Sequence, residues 1–117
     1  MSAAPHVTVL SLGGTISSAP PVDGRLARPA LFAADLVAAV PALGGVAEIE
    51  VRDVRRLPSN DMTFAIARVV ADKARAAVER GAAGVVVTQG TDTIEEVAYI
   101  WDLLVAGDAP TVVTGAT

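Results

Sequence analysis

The sequence contains no cysteine, which excludes a disulfide scaffold, a thiol nucleophile and thiolate metal sites. Aromatic residues make up 3% of the chain, and 9 Lys and Arg against 13 Asp and Glu leave a net charge of −4. Without a basic patch or an aromatic stacking surface, the protein is not expected to bind nucleic acid. No window reaches the roughly 18 uninterrupted apolar residues of a membrane span. We also expect no leader peptide, and therefore a location in the cytoplasm without a membrane partner.

The composition is that of a folded domain with an apolar core. Hydrophobic residues account for 52% and charged residues for 19% of the 117 residues, a length that fits one domain. Much of the apolar share is Ala and Val, which suits helices packed on a parallel sheet.

Hydrophobic patterning alternates between strands and helices along the chain. Short apolar runs predict four strands, at residues 7–12, at residues 46–54, in the valine run directly before Gly90 and at residues 111–114. Longer periodic runs predict helices at residues 29–40, 62–80 and 94–105, the second one capped by Asn60 or Asp61 and ended by Gly81. This alternation implies right-handed crossovers, so the predicted fold class is α/β, with three layers (α/β/α) and a mainly parallel sheet.

Residues 84–96 are the stretch around which the rest is arranged. Three valines form a buried strand, Gly90 ends it, and Thr93 with a glutamate three residues later predicts a capping box. A hydroxyl, Thr91, and a carboxylate, Asp92, lie between strand and helix. Ligands of open α/β sheets bind at the carboxyl ends of strands, beside helix N-termini, so a reactive pair is expected here. The alternative is that these residues supply only turn and cap chemistry.

Two further stretches carry weaker predictions. Residues 17–29 are rich in Ser, Pro and Gly and include Arg25 and Arg28, which favours a lid loop or an ordinary surface excursion. The helix at residues 94–105 is apolar on more than one side. We expect it to pack against a second layer or another subunit, and sedimentation would measure such self-association.

Three turns are predicted to meet at one rim of the sheet, namely Gly13-Gly14-Thr15, Ser59-Asn60-Asp61 and Gly90-Thr91-Asp92. A hydroxyl nucleophile must be exposed while backbone N–H groups stabilise the oxyanion, and each threonine follows a glycine. Gly14 and Gly90 are therefore the candidate oxyanion positions. Ser59 and the carboxylates could hold the two ends of a small polar ligand.

The segments LSLGGTIS at residues 10–17, SNDMT at residues 59–63 and GVVVTQGTDTI at residues 84–94 resemble a known family. It is the bacterial-type L-asparaginases and glutaminase-asparaginases, which have two signature stretches built around reactive threonines. The resemblance covers nearly all 117 residues in order. It implies that residues 1–117 form the N-terminal α/β domain of such an enzyme, cut short, with the smaller C-terminal domain absent.

The resemblance also implies an activity and a role for each site residue. The family hydrolyses the side-chain amide of asparagine to aspartate and ammonia, with no metal or cofactor. Thr15 would be the primary nucleophile, and Thr91 would assist proton transfer or the attacking water. Asp92 would hold the α-amino group, while Ser59 would bind the α-carboxylate with Asn60 beside it. The expected partners are a small-molecule substrate, L-asparagine or L-glutamine, and further copies of the chain in a homo-oligomer.

The chain departs from the family pattern at four places. The family's catalytic lysine follows the second signature, whereas Lys73, the one lysine here, precedes it. The family's lid carries a tyrosine, whereas Tyr99 is expected inside a helix. Gln89 and Leu12 stand where the family usually has histidine and threonine. We therefore expect the isolated 117 residues to be inactive or nearly so.

Two other interpretations compete with the asparaginase hypothesis. A non-catalytic relative would bind a small amino acid or nothing, as the missing lysine and tyrosine suggest. A phosphate-binding doubly wound domain is a third interpretation, but Gly13-Gly14-Thr15 lacks the lysine and the spacing of a P-loop.

Overall fold

Four parallel strands form the centre of the structure, a computed structural model that describes residues 4–13, 37–55, 61–105 and 107–115. The strands are β1 (His6–Ser11), β2 (Glu48–Asp53), β3 (Gly84–Thr88) and β4 (Thr111–Thr114). All three pairings between neighbours are parallel. The prediction of an α/β fold on a mainly parallel sheet is thereby confirmed.

The spatial order of the strands is β2-β1-β3-β4. From β1 the chain moves to one side to form β2, and then crosses back to form β3 on the other side. The sheet order therefore reverses between β1 and β3. In open α/β sheets this reversal opens a crevice at the carboxyl ends of the two central strands, where ligands bind.

Two helices, α1 (Phe64–Glu79) and α2 (Ile94–Leu104), pack on the same face of the sheet. Alternate residues of a strand point to one face, and the residues that meet the helices are Leu10, Leu12, Val85 and Val87. Trp101 of α2 is buried, and its indole N–H donates to the carbonyl of Ala67 in α1 at 2.8 Å. This hydrogen bond satisfies the indole while its ring fills the core between the helices.

The amphipathic pattern of α1 is confirmed. Its inner side buries Val70, Ala74 and Ala77, whereas its charged residues are exposed. Among the charged residues, Arg75 pairs with Asp72 one turn earlier. Gly81 follows with φ 104°, a left-handed conformation that ends a helix at little cost only for glycine.

The opposite face of the sheet borders an open apolar cavity of about 330 Å³. Its walls are mainly alternate strand residues, together with Leu43 of the 3-10 helix Pro41–Gly45 and Val37, a helical residue just before it. The helix predicted at residues 29–40 is thus followed directly by a short 3-10 segment. The earlier part of the predicted helix lies outside the described residues.

Both predicted helix caps need correction. The cap of α1, predicted at Asn60 or Asp61, is Thr63, because the helix begins at Phe64 and the Thr63 hydroxyl accepts from the Ile66 N–H at 3.1 Å. A cap must directly precede the first helical residue to reach that N–H. Thr93 does precede α2, but its side chain makes no cap hydrogen bond. Its ψ is 14°, against 162° at Thr63, so it lacks the extended backbone that aims a cap side chain at the helix.

Element bounds otherwise differ from the predictions by one or two residues. The strand predicted at residues 46–54 spans Glu48–Asp53, and the one at residues 111–114 is Thr111–Thr114 as predicted. Within the part of the chain that the structure describes, we find no helix of the length and apolarity that crossing a membrane requires.

Candidate functional site

The crevice between β1 and β3 is where the sheet presents polar groups. The parallel ladder continues beyond the strands, since the Leu12 N–H donates to the Thr88 carbonyl at 2.8 Å. The Gln89 N–H likewise donates to the Thr114 carbonyl at 3.0 Å. The ends of β1, β3 and β4 are therefore held side by side, and the turns that leave β1 and β3 share one rim.

The described part of the turn after β1 ends at Gly13. Its φ of 85° is the left-handed conformation, which glycine adopts without the steric penalty of a side chain. Its N–H donates to the Ser11 hydroxyl at 3.4 Å, and Ser11 is itself buried. This turn carries the chain toward Gly14 and Thr15, which lie outside the described residues.

The turn after β3 contains the described part of the predicted site. Gln89 is 1% exposed, and its side-chain amide donates to the Gly90 carbonyl at 3.1 Å. Gly90 is buried, Thr91 half-buried and Asp92 exposed. Burial thus falls stepwise along the turn, from Gly90 through Thr91 to Asp92 at the rim.

Helix α2 begins directly after this turn. The Ile94 N–H donates to the Thr91 carbonyl at 3.3 Å, and the first turn of the helix carries Glu95 and Glu96. Acidic side chains at a helix N-terminus interact favourably with its dipole. Thr91 and Asp92 consequently sit at the junction of a strand end and a helix start, as predicted.

The structure brings together three of the predicted site residues, Gly90, Thr91 and Asp92. Gly14, Thr15, Ser59 and Asn60 lie outside the described ranges, as does the predicted lid at residues 17–29. The roles assigned to all seven therefore stay predictions. Lys73 is exposed on α1 and Tyr99 is 67% exposed on α2, so both lie on helices, as the sequence predicted.

One residue of this rim was missed at the sequence level. Gly115 follows β4, and a Cβ at that position would overlap the carbonyl oxygen of Gln89 and lie 3.3 Å from the Thr91 methyl carbon. The available signal was a glycine at the carboxyl end of a predicted strand. Its contact with residues more than twenty positions earlier depends on the strand order, which the sequence pattern did not specify.

Acidic residues around the rim do not form a metal site within the described ranges. No group of three or more His, Asp or Glu residues with suitable spacing occurs among residues 4–13, 37–55, 61–105 and 107–115. The chemistry available at the described rim is that of a hydroxyl, a carboxylate and backbone amides.

Comparisons with known proteins agree on one family. The family model described as "Asparaginase, N-terminal" matches residues 6–117. An L-asparaginase from Bacillus licheniformis is 38% identical over 111 residues, which are 94% of this chain and 34% of that protein. L-asparaginase 2 from Escherichia coli K12 is 36% identical over 120 residues, 97% of this chain and 33% of that protein.

A second kind of relative bears a different name. A component of the glutamyl-tRNA(Gln) amidotransferase of Methanococcus maripaludis strain C5 is 32% identical over 111 residues, 95% of this chain and 27% of that protein. Among solved structures, a "probable cytoplasmic L-asparaginase" from Campylobacter jejuni superimposes with a TM-score of 0.87 at 32% identity. That match covers 96% of this chain and 35% of the other. The chain thus spans about a quarter to a third of the lengths of these relatives.

Proposed function

The chain belongs to the asparaginase family, and from that membership we propose that the protein containing it hydrolyses the side-chain amide of L-asparagine to L-aspartate and ammonia. The observation that carries the proposal is the position of Thr91 and Asp92. They lie together at the carboxyl end of β3, beside the reversal of strand order and at the start of α2. The relatives named as L-asparaginases support the choice of substrate.

The proposed reaction proceeds through an ester on Thr15. Its hydroxyl oxygen attacks the side-chain carbonyl carbon, and backbone N–H groups at Gly14 and Gly90 stabilise the oxyanion that forms. The C–N bond then breaks and the nitrogen leaves as ammonia, having taken up the hydroxyl proton. Water attacks the ester next, which releases aspartate and returns the proton to Thr15.

The remaining site residues position the substrate and move protons. Thr91 assists the proton transfer or orients the attacking water, because an ordinary threonine hydroxyl is a poor nucleophile without such help. Asp92 pairs with the substrate's α-ammonium group, since a carboxylate is the natural partner for it. Ser59 binds the α-carboxylate, and Asn60 lies beside it.

The test is amide hydrolysis by the full-length gene product that carries this chain. We expect ammonia release from L-asparagine, loss of that activity in Thr15→Ala, and a loss of about a hundredfold or more in Thr91→Val, which keeps the shape of the side chain. Lys73→Met, on the exposed side of α1, is the matched control and should retain activity. Full activity in both threonine variants would refute the proposal.

The amidotransferase relatives motivate a second candidate, a component of a multi-subunit amidotransferase. The two candidates differ in their dependence on other molecules. Ammonia release by the purified protein with asparagine alone favours the first. Activity that appears only with a partner protein and an aminoacyl-tRNA favours the second. Assays with L-asparagine and L-glutamine in parallel determine which amide is preferred.

Three accompanying properties remain proposals. A cytoplasmic location is supported by the name of the Campylobacter jejuni relative, although a Haemophilus influenzae relative is named as a periplasmic enzyme. Assembly into a homo-oligomer is supported by Tyr99 and Leu103, two large side chains of α2 that are about two-thirds exposed. The reaction as written uses no metal or cofactor.

A further inference from the structure

Gly115 makes an unusually close approach to the turn that contains Thr91. The residue directly follows β4, and a Cβ built on it would overlap the carbonyl oxygen of Gln89. The overlap is with a backbone atom, which cannot rotate away as the tip of a side chain can. The φ of Gly115 lies outside the left-handed region, so glycine is required here by space and not by backbone conformation.

Other glycines of the chain show that this closeness is specific. A Cβ at Gly44, Gly45 or Gly107 would meet no atom within 4 Å. At Gly84, the Cβ would lie 3.3 Å from a side-chain carbon and from the backbone oxygen of Pro110, so that these neighbours would have to give by a few tenths of an ångström. Gly115 differs from these glycines in degree, because the carbonyl it meets lies closer than real Cβ contacts allow.

The peptide groups on either side of the carbonyl that Gly115 meets are both hydrogen-bonded. The N–H of Gln89 donates to the Thr114 carbonyl, so the start of the turn is tied to β4. The side-chain amide of Gln89 donates to the Gly90 carbonyl, which ties the next peptide to the buried glutamine. A Cβ at Gly115 would therefore have to move the whole turn rather than one free peptide.

The same approach reaches the side chain of Thr91. A Cβ on Gly115 would lie 3.3 Å from the Thr91 methyl carbon, so that methyl group packs beside Gly115. The methyl and the hydroxyl of threonine share one Cβ, and a single χ1 angle orients both. A group that displaces the methyl therefore also turns the hydroxyl.

We propose that Gly115 is a positioning residue for Thr91: its lack of a side chain lets β4 pack against the turn and orient the threonine hydroxyl. This inference rests on the proposed function in one respect, that the Thr91 hydroxyl takes part in the reaction. Gly115 acts through Thr91 and does not touch the substrate. Small displacements of reacting groups are costly, since about 1 Å can cost about a hundredfold in rate.

The first experiment is Gly115→Ala in the full-length gene product. We expect kcat/KM for L-asparagine to fall about tenfold or more. Gly44→Ala is the matched control, because its new methyl enters open space on the 3-10 helix, and it should stay within about twofold of the wild type. A Gly115→Ala variant that also stays within twofold would overturn the inference.

A double-mutant cycle separates positioning from a general effect on the fold. Thr91→Val removes the hydroxyl but keeps the shape of the side chain. If Gly115 acts through the Thr91 hydroxyl, Gly115→Ala should cost about threefold or less in the Thr91→Val background, against about tenfold or more alone. The same loss in both backgrounds would mean that Gly115 acts on the fold and not through Thr91.

Crystal structures of the wild type and of Gly115→Ala decide the matter independently of activity. We expect the Thr91 hydroxyl to be displaced while β3 and β4 keep their pairing. An unmoved hydroxyl, with the new methyl accommodated by β4, would overturn the positioning role. A wild-type protein that hydrolyses no amide, but whose Thr91 moves in the variant, would refute the proposed function and retain the positioning role.

Discussion

The chain leaves β1 and β3 through turns of similar composition, each with a glycine before a threonine, yet the two turns are built differently. After β1, the described part of the turn has the left-handed φ of Gly13, and the Leu12 N–H donates to the Thr88 carbonyl of β3. The supporting hydrogen bond to the Ser11 hydroxyl is long, at 3.4 Å. After β3, the path is set from outside the turn, by hydrogen bonding to Thr114 and by the close approach of Gly115.

The difference shows that glycine serves the two turns in two ways, through its own backbone conformation at Gly13 and through closeness to a distant segment at Gly115. A left-handed glycine acts through its own backbone and depends little on what surrounds it. A close approach works only when another strand is present and correctly paired. The turn after β3 therefore depends on the formation of β4, whereas the described part of the turn after β1 combines a left-handed glycine with pairing to β3.

The largest expected effect concerns charge. Among the described residues of the two turns, Asp92 of the β3 turn is the one charged side chain. Asp92→Ala should lower kcat/KM for L-asparagine roughly 10- to 100-fold, mainly through KM, because a hydrogen bond to a charged group contributes about 1.5–3 kcal/mol. Steady-state kinetics of the full-length protein measure this change. Asp108→Ala is the matched control. Asp108 is exposed and precedes β4, so it lies at the amino ends of the strands, away from the rim that carries Asp92. Equal kinetics in both variants would remove Asp92 from the site.

A smaller effect tests whether the β1 turn depends on its own backbone. Gly13→Ala should lower the free energy of unfolding by about 1–2 kcal/mol, because a residue with a Cβ is strained in the left-handed region. Denaturant unfolding measures the loss. Gly44→Ala, at a glycine without a left-handed φ, should change the free energy by less than about 0.5 kcal/mol. Similar losses in both variants would show that the φ of Gly13 does not determine the turn.

The smallest effect compares the hydrogen bonds that support the two turns. Gln89→Leu removes the donor to the buried Gly90 carbonyl and should cost about 1 kcal/mol of unfolding free energy. Ser11→Ala removes a longer contact and should cost less than about 0.5 kcal/mol. Unfolding of the two variants side by side measures the difference. A larger loss in Ser11→Ala would reverse the account of which turn relies on side-chain hydrogen bonding.

Much of the fold could be predicted from local patterns. The valine run of β3, the charged and apolar sides of α1 and the stop at Gly81 are each properties of adjacent residues, and the structure has all three. The caps were harder to predict because several polar residues precede each helix. At α1, Thr63 and not Asp61 caps the helix, since the helix begins three residues after Asp61.

The candidate site could be predicted only in part. Thr91 and Asp92 were found because a strand, a glycine and a helix start are consecutive in sequence. Gly115 was missed because its role arises from a contact with Gln89 and Thr91, and no local pattern records such a contact. The burial of Gln89 could not be predicted either, because it also depends on segments that are distant in the sequence.

The sequence by itself determined the four strands, the two described α-helices and their order, and the family to which the chain belongs, because hydrophobic period and turn residues act over short distances. The tertiary structure alone decided that β1 and β3 lie side by side with the reversal between them. It also decided that Gly115, directly after β4, lies close to the turn that contains Thr91. Both facts depend on pairing between strands that are far apart in the chain, and such pairing is set by the packing of the whole sheet.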